Sequence, residues 1–286
     1  MPEQVLDREE YIEQAYFFRV YRDRLLENVP AQEILAHIRE EILATTKLPM
    51  AIDFLAGELQ LNGKLGLGMS RLPHYFTPFQ AFVVGRAEAD ESKFDFRLAL
   101  QILEREAEFR AEKFHAQGLF MYQFECVARN RLGYDLGMAA IAGDPTFDAH
   151  WKDWILKIRM QLGTVDFADL IYTRSQHRVE EIRRRTNSPA YEASYPILFG
   201  VSEGRIAKAN RGKDPIYMFA ALQRQLGYPA VPRPKPPRTA PVFDPPVESR
   251  FQRLEARVAL LEQEGQGNFD LTKFYKPEDF SSGEMN

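Results

Sequence analysis

Residues 94–112 read FDFRLALQILEREAEFRAE. Phe94, Leu98, Ile102 and Phe109 recur at helical spacing while Glu104, Glu108 and Glu112 fall on another side, so an amphipathic helix is predicted over about 94–113. Asp90 or Ser92 stands ahead of it as a possible N-cap. An apolar stripe of this width must be covered, and the flanking sequence supplies helices to cover it.

Toward the N-terminus the same texture repeats. Tyr11, Ile12, Ala15, Tyr16, Phe18, Tyr21 and Leu25 predict a helix over 8–28, which Pro30 ends or restarts. Ile34, Leu35, Ile38 and Ile42 predict a second over 31–44, and Met50, Ile52, Phe54, Leu55 and Leu59 a third over 48–60. Gly63, Gly66 and Gly68 then read as a glycine-broken turn. Thr77-Pro78 is an N-cap and first-turn pair opening a helix to Arg86.

Toward the C-terminus, helices are predicted over 117–130 and 134–142, the latter closed by Gly143. Asp144-Pro145 reads as the start of another, whose stripe is Trp151, Trp154, Ile155, Ile158 and Leu162, ending at Gly163. Aromatic and glycine positions do not recur at a fixed period of about 34 or 40 residues, so a solenoid is not indicated. Residues 1–163 are therefore expected to be an irregular helical-hairpin bundle.

Residues 164–228 form a smaller module of α or α+β type. Residues 166–185 end in the basic run Arg183-Arg184-Arg185. After the break at Asn187-Ser188-Pro189, residues 195–209 are the one stretch that can hold strands, as a hairpin of Pro196–Gly200 with Arg205–Ala207, or a helix in its second half. Asp214-Pro215 caps a helix with Ile216, Phe219, Ala220, Leu222 and Leu226 on its face, closed by Gly227.

Eight prolines between Pro229 and Pro246 predict a semi-rigid polyproline spacer over 229–246. Pro234 to Pro237, between Arg233 and Arg238, has the composition of a ligand for a proline-binding module. Beyond it, Val247, Phe251, Leu254, Val258 and Leu261 are spaced alternately by four and three residues, a heptad seam over 247–264. With Phe251 and Val258 at a and Leu254 and Leu261 at d, Arg250 and Arg257 fall at g and Glu255 and Glu262 at e. A helix folded back onto the body is the alternative, since the seam is short. Residues 265–286 read as a flexible tail with an aromatic cluster.

Both heptads read Arg, apolar, two residues, apolar, Glu. This resembles the short trimer-favouring motif of parallel coiled coils. The resemblance implies that each g arginine pairs with the e glutamate of a neighbouring copy while its methylenes cover the core, with a trimer favoured and a dimer possible.

The chemistry-bearing residues form no familiar catalytic pattern. The five histidines include no His-Glu-x-x-His. Glu112 and His115 have the spacing of a di-iron ligand pair, but a second Glu-x-x-His is missing, and they read as a solvent-facing pair at a helix end. Asp148, His150 and Asp153 crowd a helix start, where the two acids read as favouring the helix dipole rather than as metal ligands. The run Asn62 to Gly68 lacks the Gly-Lys-Ser/Thr of a phosphate loop, and Cys126, on an apolar helical face, reads as a buried inert thiol. No cofactor or metal is implied. With one cysteine, no export signal and no long apolar run, a cytoplasmic protein away from membranes is expected.

Charge is distributed unevenly. The chain carries −4 overall, but residues 174–238 carry +8, against −6 for 1–115, −2 for 116–173 and −4 for 239–286. Arg174, Arg178, Arg183, Arg184, Arg185, Arg205, Lys208, Arg211 and Lys213 supply most of that excess. They can bind an anionic partner such as nucleic acid, or dock against the acidic body or an acidic protein. The second is favoured, because no nucleic-acid motif accompanies the charge. The expected function is therefore a non-enzymatic scaffold, self-associating and binding an unidentified protein; the alternatives are anion binding through 174–238 and an enzyme with an unfamiliar helical pocket.

Overall fold

The computed structural model describes residues 6–89, 94–112 and 114–234, together with Arg250, Leu254 and Val258. Among the described residues there are thirteen helices and no strand, so the fold is mainly α. By contact the chain divides into two units, Met1–Pro234 and Lys235–Asn286. None of the helices is long and apolar enough to cross a membrane, among the described residues.

In the first unit, α1 (Arg8–Leu26) lies along α6 (Phe96–Ala111), which takes up all but the ends of the stretch FDFRLALQILEREAEFRAE. Phe17, Phe18 and Tyr21 of α1 and Leu100, Ile102 and Leu103 of α6 are buried together in one core. The hairpin α2 (Ala31–Glu41) and α3 (Leu48–Asn62) covers one side with Ile34, Leu35, Ile38, Ile52 and Leu55. Burying each such aliphatic side chain is worth about 1.5–3 kcal/mol, which is why these stripes, rather than helix propensity, hold the bundle.

The glycine run is not a turn. Gly63 closes α3 in the left-handed conformation, and Leu65–Ser70 then forms α4. A side chain at Gly66 would come within 2.7 Å of the Gly85 amide nitrogen of α5 (Pro78–Ala87), and one at Gly68 within 2.8 Å of Leu55. The glycines are spacing devices for close helix packing, invisible to a local reading.

The caps follow the sequence in part. Thr77 and Gln80 form a reciprocal capping box at the start of α5, at 3.2 and 3.0 Å. Asp95 caps α6, its carboxylate accepting from the Arg97 amide at 2.7 Å, in place of the expected Asp90 or Ser92, which lie outside the described residues. Glu112 and His115 are both exposed, at the end of α6 and the start of α7 (Ala116–Arg129), and His115 is also the N-cap of α7, its Nδ1 accepting from the Gly118 amide at 2.9 Å. After α8 (Tyr134–Ala142), Asp148 and not Asp144 caps α9 (Ala149–Arg159).

Residues 166–185 hold two helices, α10 (Phe167–Thr173) and α11 (Gln176–Thr186), because the chain turns at Arg174-Ser175 to meet Phe199. The Leu198 and Phe199 amides donate to the Arg174 carbonyl, and the Gln176 amide donates to that of Phe199. One isolated parallel bridge, Ser175 to Phe199, is all that stands where a hairpin was an option. Val201–Ala209 is helix α12, and Pro215–Leu226 is α13, capped by Asp214 and closed by Gly227 in the left-handed conformation. The module is thus α rather than α+β. Its Phe167, Ile171, Phe199, Phe219 and Leu222 belong to the same continuous core as α1–α9.

Candidate interaction surfaces

The basic segment is assembled around Tyr172. Helices α11 and α12 start side by side, since a side chain at Gly204 would meet the Ser175 Cβ at 2.5 Å. The Arg211 guanidinium lies 4.0 Å over the Tyr172 ring and pairs with Asp169 at 2.5 Å, and Arg178 lies 5.6 Å from the same ring. The Tyr172 hydroxyl donates to Glu181, which also pairs with Lys208. The Lys208 hydrogen bond first, then that of Tyr172, holds the Glu181 carboxyl down at about 2.

The other cations divide into two groups. Arg174 stacks 4.9 Å over Tyr195, Arg183 donates to the Tyr191 carbonyl at 2.9 Å, and Arg184 donates to the Glu180 carbonyl at 3.3 Å. Arg185, Arg205 and Lys213 are exposed and pair with no carboxylate among the described residues. The ion pairs that do form are local to residues 164–228: Lys208 pairs with Glu181 inside the basic segment, and Arg211 with Asp169 just ahead of it. None of the segment's cations pairs with a carboxylate of residues 1–163 among those described. Two of the cations are thus matched locally rather than by the acidic body, and Arg185, Arg205 and Lys213 are left outside those pairs.

A surface that no sequence signal announces lies where α7, α8, α10 and α13 converge. It is a groove of about 400 Å³ floored by Phe124, Phe167 and Phe219 and edged by Tyr134, Leu162 and Val165. Phe124 stacks on Phe167 with centroids 4.0 Å apart, and Phe219 lies about 6 Å from each. Arg129 lies 5.7 Å over Phe219 and is held by Glu125, which in turn accepts from the Tyr228 hydroxyl at 2.7 Å. The three phenylalanines come from helices far apart in sequence, so periodicity within any one of them could not reveal the groove.

Two further polar clusters sit in the body. In the first, Arg110 joins Glu106 at 2.9 Å and also Asp144, with all three side chains sealed from solvent. Gln123 donates to Glu106 at 2.7 Å and to Asp144 at 3.1 Å, and Thr146 accepts from Arg110 at 3.0 Å. Burial raises the Asp144 carboxyl, but the Arg110 charge and the Thr146 amide outweigh it and hold the group below its ordinary range. Burial wins at Glu106, whose carboxyl is raised, and its Oε2 has no hydrogen-bond partner. This is a buried pin between helices, with no access for a substrate.

The second cluster lines a cavity of about 270 Å³ with Asp7, Glu10, Lys47, His74 and Tyr75. Both Glu10 oxygens are occupied, by the Lys47 amide and the Tyr75 hydroxyl, each at 2.8 Å. Among the described residues no three of His, Cys, Asp and Glu are grouped to hold a metal. Amides of the glycine run do bind an anion, but it is the chain's own Glu88, which accepts from Leu65 at 2.6 Å and Gly66 at 2.8 Å. Cys126 is buried, and burial pushes its thiol well above the ordinary value.

In the second unit, Arg250, Leu254 and Val258 are helical, at one-turn intervals, and Leu254 and Val258 are 55% and 50% exposed. The rest of the seam, Val247, Phe251, Glu255, Arg257, Leu261 and Glu262, lies outside the described residues. Set against protein families, curated proteins and solved structures, the chain matches none of them.

Proposed function

We propose that the chain is a non-enzymatic interaction protein that self-associates through its C-terminal helix and presents a helical body to a protein partner. The observation that carries this reading is the pair Leu254 and Val258. They stand one turn apart on one helical face, apolar and half exposed, at positions that the heptad spacing assigns to a seam. Burying the exposed half of each such side chain is worth about 1 kcal/mol apiece, which favours association when the seam continues on either side. The aromatic groove between α7 and α13 offers the body a place for an apolar anchor from a partner.

Light scattering tests the self-association. The full chain is expected to run as a trimer or dimer, and Leu254→Glu with Val258→Glu to lower its mass. An unchanged mass in that variant would remove the C-terminal helix from the assembly.

A second reading rests on Arg185, Arg205 and Lys213, which are exposed without carboxylate partners among the described residues. These charges suit an anionic partner, nucleic acid included. Heparin retention that falls with salt and is lost on reversing all three charges supports it; no retention at low salt counts against it.

A further inference from the structure

Helix α3 buries Leu48, Ile52 and Leu55 on one face. Its outer face carries Met50, Phe54, Gly57 and Leu61, spaced by four, three and four residues, so that all four fall within a strip of about 60°. Met50 is 70% exposed, Leu61 80% and Phe54 38%. A side chain built at Gly57 would meet nothing within 4 Å. A surface helix ordinarily turns charged residues outward, and this one turns apolar ones.

We propose that this strip is an interface between two copies of the chain, with α3 of each crossing the other antiparallel. Met50 then meets Leu61 of the second copy, and Phe54 lies over Gly57 of the second copy, in both directions. The occupant follows from the pattern. A two-fold contact requires that if one residue meets another, the second meets the first across the axis. The pairs Met50 with Leu61 and Phe54 with Gly57 share one midpoint along the helix, between Leu55 and Ala56, so a single axis satisfies both.

Bulk and gap alternate to match. The widest side chain of the strip faces the one residue that has none, which lets the helices approach closely. A parallel pairing would stack Phe54 on Phe54 and leave Gly57 facing Gly57. The flanking Asp53 brings no bare charge to the contact, because it is paired with Arg39 of its own copy at 2.6 Å. One helix crossing buries less than the roughly 1,200–2,000 Å² of a stable complex, so the contact is weak alone and gains from any other link between copies. The argument stands apart from that for the C-terminal helix, and a two-fold contact added to a three-fold one would build larger assemblies.

Cysteine crosslinking of the full chain tests the register. Met50→Cys and Leu61→Cys are substitutions at exposed positions, and Cys126 is too buried to compete. In the proposed pairing, residue 50 of one copy faces residue 61 of the other. Two residues 50, or two residues 61, lie about 16 Å apart along the axis, beyond the about 7 Å Cα separation a disulfide spans. Mixing the two variants at high concentration under oxidising conditions is expected to give several-fold more covalent dimer than either variant alone, and Phe54→Glu in both should abolish the excess. Self-crosslinking of Met50→Cys would mean a parallel contact and overturn the proposal, as would no crosslinking at all, the result expected if another protein or the chain's own C-terminal segment covers the strip. Repeating the mixture with Leu254→Glu and Val258→Glu separates the two interfaces. Excess crosslinking that persists there, at a protein concentration raised to offset the lost link, supports α3 as an interface in its own right, and its loss at every concentration overturns the proposal.

Discussion

Arg110 of α6 and Asp144 of the loop after α8 are joined by an ion pair from which solvent is excluded, and the same guanidinium holds Glu106 one turn back on its own helix. One buried cation thus fastens the central helix to the chain segment that leads into α9. Removing one partner of such a pair leaves a buried charge uncompensated, which typically costs about 3–5 kcal/mol. Arg110→Leu strands two carboxylates and should cost more than Asp144→Ala, after which Arg110 still has Glu106. Urea denaturation midpoints of the two variants check the order. Equal midpoints would mean that the cluster is hydrated rather than sealed.

The two carboxylates of that cluster respond oppositely to pH. Asp144 is held below its ordinary value, so the stability it contributes is present above that value and is lost as pH falls through its lower folded value. Glu106 is raised, so the native state binds its proton more tightly and loses stability as pH rises through the raised value, above the ordinary 4.5. Glu106→Gln, which fixes the neutral form, should therefore gain on the wild type as pH rises from about 5 to 8. Denaturation curves at both ends of that range measure it, and a difference independent of pH would contradict a raised Glu106.

Gly66 and Gly85 lie at one helix contact yet differ in what they tolerate. A side chain at Gly66 would press on backbone atoms of Gly85, whereas one at Gly85 would meet nothing within 4 Å. Gly66→Ala is expected to destabilise by about 1–3 kcal/mol through overpacking. Gly85→Ala, in a helix interior, is expected to stabilise by about 0.5–1 kcal/mol. Thermal unfolding of the two variants should move in opposite directions.

His115 caps α7 through its Nδ1, which accepts from the Gly118 amide. His115→Ala removes that acceptor and should cost about 0.5–2 kcal/mol, while His115→Asn keeps a cap and should cost less. Amide exchange at Gly118 is the direct readout. Protection unchanged in the alanine variant would mean that the cap carries no weight.

Some of this was legible in the sequence because its causes are local. The α6 helix shows its burial in the spacing of Leu98, Ile102 and Phe109, and Thr77, Asp214 and Gly227 announce helix ends through bonds that span only a few residues. The cations of 174–238 were all visible as a charge excess. Their partners were not, since Glu181 with Lys208, and Tyr172 with Arg211, meet only after α10, α11 and α12 have packed.

The sequence by itself determined that this is a mainly helical chain, and it set where most helices begin, because periodicity and capping act within a few residues. Tertiary structure decided what a residue is for once burial changes the cost of its charge or its volume. Asp144 has the sequence of a helix start and became a buried counterion, because Arg110 could not otherwise leave water. Gly66 has the sequence of a turn and became a helix contact, because only a residue without Cβ lets α4 approach Gly85. The aromatic groove was decided there too, since Phe124, Phe167 and Phe219 become neighbours only when their helices converge.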